Sequence, residues 1–239
     1  MSRRQILAAV LGLATAVGCV RLGLWQLDRL RFVQRENDLK VARLAAKPSS
    51  PFGLLYGTRR WRRVTVAGTF DFDHQVVLVG RSNNGAPGVD IITPFAPDAG
   101  GRPLLVDRGW VYSADAQTVQ LAKFDELPHT TITGFVEEFA LGGPGPARTA
   151  STPNGFRRLD VREIDRAFPY PIAPFYIVAQ ADSGAEQKAG APLRHPLPAL
   201  DEGPHKGYAI QWFSFALIAL VGASIIIVKE QKIRNKGNP

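Results

Sequence analysis

The residues best equipped for chemistry lie near the C-terminal end, in the stretch "GPHKGYAIQWFSFA". Pro204 suits the first position of a helix with Gly203 as its cap, which puts His205 in the first turn. The partial positive charge of a helix start disfavours an imidazolium there, and a neutral imidazole is the form that binds a metal. Tyr208, Trp212, Phe215 and Ala219 follow His205 at helical spacing and share one stripe, flanked by the small Ala209 and Ala216. A histidine above such a face suits a flat, amphiphilic macrocycle held by an axial Fe–N bond. The same residues also read as an interfacial aromatic belt, and spacing leaves both readings open.

Two other stretches carry marked residues. In "RLGLWQLDRL", Arg21, Trp25 and Arg29 stand four apart on one helix face, and "LLVDRGWV" places Asp107, Arg108 and Gly109 at the end of a strand. Arginines pair well with carboxylates such as haem propionates. Lipid phosphates would serve Arg21 and Arg29 equally, with Trp25 as a belt residue. Asp107 and Arg108 read first as an internal ion pair, with Gly109 allowing a tight turn. His74, His129 and His195 fall in strand ends, turns or proline-rich loops and read as solvated.

Several classes are disfavoured. The sequence has no H-E-x-x-H, G-x-S-x-G, P-loop or G-x-G-x-x-G motif, and four histidines with one cysteine leave little material for zinc or nucleophile constellations. Cys19 alone permits neither an intrachain disulfide nor a thiol pair for copper. The expectation is a protein that is not an enzyme.

The elements that must position these residues begin with two apolar runs. Ile210–Val228 carries no charged residue and is long enough to span a bilayer. Ile6–Val20 is shorter, but Arg21 can snorkel and the following "LGLW" extends it. A cleaved signal, or a lipoprotein signal ending at Cys19, is the alternative for this first run. The formal charge of +8 gathers in residues 21–63 and in the tail after Val228, leaving the middle mildly acidic. Basic residues beside apolar runs fit anionic lipid headgroups, and nucleic acid is not an expected partner. A basic tail places the C-terminus in the cytoplasm, and two spans place the N-terminus there too, with the middle facing outward.

The expected division is a cytoplasmic start at 1–5, a transmembrane helix at 6–25 and a helical stalk at 26–47. An extracytoplasmic domain at 48–207, a second transmembrane helix at 208–228 and a basic tail at 229–239 follow. The middle alternates with period two in "RRVTVAGTF", "HQVVLVGR", "VDIITPF", "PLLVDRGWV", "TTITGFVEE" and "FYIVAQ", six candidate strands separated by Gly, Asn, Asp and Pro. "DVREIDRAF" reads as a short amphipathic helix and "SADAQTVQLAKF" as a possible second. "GGPGPARTASTPNG" and "DSGAEQKAGAPLRHPLPALDEG" read as loops. The fold class is therefore α+β: two transmembrane helices flanking an extracytoplasmic, mainly antiparallel, barrel-like β domain with one or two short helices.

In order along the chain, "GLWQLDRL", "WRRVTVAGTFD", "VDIITPF", "LLVDRGWV" and "HKGYAIQWFSFA" between two spans resemble the surfeit locus protein 1 family. The resemblance covers nearly the whole chain, departing from the family pattern at Gly203-Pro204 and Tyr112. It implies a non-catalytic assembly factor of the inner membrane for cytochrome c oxidase or a related haem-copper oxidase. Such a protein would bind haem a and assist its insertion into the catalytic subunit, with the haem a biosynthesis machinery as a further possible partner. The family's histidine falls on His205, followed by Tyr208 and Ala209, its tryptophans on Trp25 and Trp212, and its strand arginine and glycine on Arg108 and Gly109. The expected cofactor contacts are thus His205, as the iron ligand, with Tyr208, Trp212, Trp25, Arg29 and Arg108. The alternative is a membrane-anchored scaffold that docks on oxidase subunits without binding haem.

Overall fold

The computed structural model describes residues 3–54, 57–181 and 190–236. The first part of the loop expected at 182–203 and the last residues of the basic tail lie outside them. The chain forms two compact units: residues 1–40 with 199–239, and residues 41–198.

The second unit is built on strands β1 (Arg63–Phe70), β2 (Val76–Asn83), β3 (Ala86–Pro97), β4 (Leu104–Tyr112), β5 (His129–Glu137), β6 (Gly155–Phe156) and β7 (Tyr176–Ala179). Their order is β1-β5-β7-β4-β3-β2-β6, and β1 also pairs with β3 through Gly68↔Pro97, Thr69↔Ala96 and Phe70↔Phe95. This pairing closes five strands into a barrel, leaving β2 and β6 as an outer flap. Closure needs backbones to approach closely: a Cβ on Gly68 would fall 2.2 Å from the Ala96 carbonyl oxygen. All six expected strands are present. β6 is too short for its pattern to announce it, and it pairs parallel to β2 as β7 does to β4.

Successive side chains of a strand face opposite ways, and β4 uses both directions. Leu104 and Val106 join the barrel interior with Val64, Phe95, Ile132 and Ile177, whereas Leu105 joins a second core with Ile92, Phe156, Ile164 and Phe168. An unbroken apolar run "LLV" is what a strand buried on both faces requires. The second core is capped by α2 (Val161–Ala167), whose first turn is held by the Asp160 carboxylate accepting from the Arg162 N–H at 3.1 Å. The second expected helix is absent; only the 3₁₀ turn Leu121–Phe124 forms in that stretch.

The first unit is a pair of long helices. α1 runs Arg3–Ala45 without interruption and α3 runs His205–Lys236, and both contain segments apolar enough to cross a membrane. Both are candidate membrane spans by length and composition. The buried residues of α1 include Gln5, Ala16, Cys19, Gly23, Gln26 and Leu30, alternating by three and four from Ala16 onward, which is a heptad seam. α3 answers with Ala209 and Ala216, seven apart. Small residues let apolar helices approach where water supplies no driving force between them. A Cβ on Gly12 would fall 2.4 Å from Ala223 Cβ, and one on Gly23 2.7 Å from the Phe213 ring. Two buried amides pin the seam: Gln5 Nε2 donates to the Ile227 carbonyl at 3.2 Å, and Gln26 Oε1 lies 2.8 Å from His205 Nδ1. The helices therefore run antiparallel.

Candidate functional site

His205 opens α3, with the Tyr208 N–H donating to the Pro204 carbonyl at 3.1 Å. Gly203 holds φ at +66°, a conformation that favours glycine, and its N–H donates to Asp201 Oδ1 at 2.7 Å. The turn so formed leaves His205 half-buried, with its Nδ1 side directed at Gln26 of α1. An amide oxygen can only accept, so across this contact Nδ1 is the donor, and in the neutral form of the ring the lone pair then stands on Nε2. A Cβ added at Gly203 would lie 3.5 Å from that Nε2 and from Cδ2, so glycine keeps this ring edge uncovered on its own side.

The aromatic residues divide between seam and surface. Trp212 packs beside Ala16, Cys19 and Ala216, and its ring meets Phe215 edge-on at 5.9 Å. Tyr208 and Phe215 are exposed, as is Trp25 of α1. The pairing of Gln26 with His205 brings Trp25 to the level of the histidine. Trp25 lies about 100° round the helix from Gln26, and Tyr208 about 60° in the same sense from His205. Equal senses in an antiparallel pair are the same side, so Trp25, Tyr208 and Phe215 share one outer face of the hairpin. Arg29, one turn beyond Trp25, is exposed on that face, 4.9 Å above the Phe32 ring. The Gly12 and Gly23 contacts close the gap between the helices at those two levels. A flat ligand would lie on the outer face.

Arg108 belongs to the sheet unit and none of its side-chain surface is exposed. Its Nε donates to Glu126 Oε2 at 2.9 Å, its Nη1 to Gln75 Oε1 at 2.9 Å and to Thr93 Oγ1 at 3.4 Å, and its Nη2 to the Phe124 carbonyl. Phe70 and Phe72 lie over the guanidinium. Burial pulls its pKa down while Glu126 opposes that shift. An external carboxylate has no surface on Arg108 to meet, so its place is in the barrel interior.

The expected Asp107–Arg108 pair does not form, because neighbours on a strand face opposite ways. Asp107 instead accepts from the Gly109 N–H at 3.0 Å and faces His195 Nε2 at 3.5 Å. His195 is not a solvated loop residue. It is half-buried, with Asp90 Oδ1 at 3.2 Å from the same nitrogen, and Arg81 Nε lies 3.1 Å from the other oxygen of Asp90. The hydrogen bonds to Asp107 and Asp90 outweigh burial and push the imidazole up to about 10. Arg81, Asp90, His195 and Asp107 thus form one chain of charged groups, and the ligand atoms of Asp90, Asp107 and His195 lie within 4.8 Å of one another, close enough to share one cation. His74 pairs with Asp71 and His129 with Asp98, both at exposed positions. A surface cleft of ≈ 530 Å³ over Tyr176 is lined by Arg60, Arg81 and Arg158. Each of these is tied to a carboxylate, of Glu137, Asp90 and Asp160 in turn.

Sequence reasoning overlooked Gln26. A signal was there: a polar residue in the 3–4 seam of an otherwise apolar helix pair. The SURF1 family profile matches residues 13–217, which takes in the Gln26 and His205 stretches and every strand between them. The chain belongs to the SURF1 family. Its relatives include an uncharacterized SURF1-like protein of Mycobacterium tuberculosis, 27% identical over 222 residues, covering 89% of this chain and 79% of the relative. A SURF1-like protein of Rickettsia bellii is 25% identical over 221 residues, covering 90% and 86%, and one of Monosiga brevicollis is 28% identical over 223 residues, covering 83% and 79%.

Proposed function

We propose that this protein is a non-catalytic assembly factor for a haem-copper oxidase, carrying haem a as cargo for the catalytic subunit. Membership of the SURF1 family supports the oxidase as client. The observation that carries the haem reading is the His205 ring, fixed through Nδ1 by Gln26 so that Nε2 offers a lone pair at the head of an exposed aromatic face. His205 would supply the axial nitrogen, Trp25, Tyr208 and Phe215 would cover a porphyrin plane, and Arg29 would meet a propionate. Trp212 holds the seam against which that face is built. Kept on an apolar surface, the cargo is protected from water and from self-association until its acceptor is ready. The basic tail supports a cytoplasmic C-terminus in the inner membrane, with the sheet unit outside.

The test is the visible spectrum of the detergent-solubilised protein purified from cells that make haem a. The wild type should carry a Soret band that His205→Ala loses. Equal haem in both would leave a scaffold that docks on oxidase subunits without haem, and the catalytic subunit would then co-purify with either form.

A further inference from the structure

Gln26 is nine-tenths buried in the helix seam. A side-chain amide taken out of water costs free energy unless it is bonded, and the neighbouring seam residues Ala16, Cys19, Gly23 and Leu30 show that an apolar or small residue would pack there. Among the described residues its side chain meets one hydrogen-bonding partner, His205, whose Nδ1 lies 2.8 Å from its Oε1. In water a neutral imidazole prefers its proton on Nε2, the tautomer that could not ligate through that nitrogen. Something must hold the other form.

We infer that Gln26 is the positioning residue for His205: it sets the ring's tautomer and orientation so that Nε2 faces the cargo. This rests on the haem reading above. Histidines that bind metals generally donate their second nitrogen to a partner, and that partner tunes the ligand's strength. A carboxylate would draw the proton toward itself, make the imidazole a stronger donor and slow release. The neutral amide of Gln26 fixes the geometry with less electron donation, which suits a molecule that must be handed on. Gly203 complements this by placing no side chain of its own against the Nε2 edge, where a Cβ would lie 3.5 Å away.

The experiment compares full-length wild type, Gln26→Leu, Gln26→Glu and His205→Ala in detergent, with circular dichroism to show that each retains its helices. Two-bond ¹⁵N–¹H correlation reads the His205 tautomer without any haem. The wild type should be protonated on Nδ1, and Gln26→Leu should move the proton to Nε2. Haemin titration should then give about 10- to 100-fold weaker binding for Gln26→Leu. Gln26→Glu should bind and give up haemin more slowly than the wild type. An unchanged tautomer and affinity in Gln26→Leu, with binding lost in His205→Ala, overturns the inference and leaves the haem reading standing. Undiminished haemin affinity in His205→Ala overturns the ligand role of both residues.

Discussion

Arg108 and Glu126 form an ion pair in the sheet unit in which the guanidinium is wholly buried and its Nε lies 2.9 Å from the carboxylate. The other oxygen of Glu126 accepts from Arg194 Nη2 at 2.5 Å, and Arg194 also donates to the Arg108 carbonyl. One carboxylate thus joins β4 to the 3₁₀ stretch before β5 and to the segment that leaves the barrel.

Removing either partner of a buried pair strands the other charge, at about 3–5 kcal/mol. Glu126→Ala and Arg108→Ala should each lower the stability of the sheet unit by that order. Combining them should cost less than the sum, because the double variant has no buried Arg108 charge left stranded, while the loss of Glu126 by Arg194 is common to Glu126→Ala and the double variant. Urea denaturation followed by tryptophan fluorescence of the four proteins checks this. Strict additivity would mean that the pair does not couple.

Gly109 stands at a β-bulge, with φ at +116°, and a Cβ there would meet the Leu193 carbonyl oxygen at 2.2 Å. That close approach lets Leu193 bridge Trp110 through two backbone hydrogen bonds of 2.7 and 2.8 Å. Gly109→Ala should both strain the strand and push the 192–195 segment off β4. Hydrogen exchange at the Trp110 and Leu193 amides should speed up before the barrel strands do.

How much of this was legible beforehand varies with the range over which the cause acts. The apolar runs and the strand alternation are local, and they located α1, α3 and six strands. Barrel closure depends on Gly68 meeting Ala96 across the fold, which no period encodes, and β6 is two residues long. The partners of His195 sit 105 and 88 positions away, at Asp90 and Asp107, so a proline-rich context suggested a loop. Arg108 and Asp107 are adjacent in sequence and were expected to pair, but the strand turns them apart. At the candidate site, His205 and its aromatic neighbours were visible as a stripe on one helix. Gln26 was not singled out, because its meaning lies on a different helix 179 residues away.

His195 gives the sheet unit a pH dependence with a definite sign. Its folded-state pKa, about 10, lies above the ordinary value of 6.5, so the protonated ring stabilises the fold. That contribution is fully present below pH ~6.5 and is lost as pH rises through 10. Thermal melting should show Tm falling between pH 7 and 10, and His195→Gln should flatten that slope while lowering Tm at pH 7. A His195→Gln profile parallel to the wild type would remove the histidine as its source.

The helix seam predicts a paired substitution. Gly12 faces Ala223, where an added Cβ would approach to 2.4 Å. Gly12→Ala must therefore push the helices apart or shift their register, and overpacking of this kind costs about 1–3 kcal/mol. Because the nearest obstacle is a single methyl, Ala223→Gly should relieve most of the clash and leave the 3.3 Å approach to the Ala219 carbonyl oxygen to a small shift, so the double variant should melt nearer the wild type than Gly12→Ala does. The readout is thermal stability in detergent, together with thiol crosslinking between cysteines placed at Gln5 and Ile227, which meet across the seam. Loss of crosslinking in Gly12→Ala and its return in the double variant would tie the effect to helix spacing. Failure of Ala223→Gly to rescue would mean that the two helices do not meet at this level, and with it the register that sets Gln26 beside His205 would need to be redrawn.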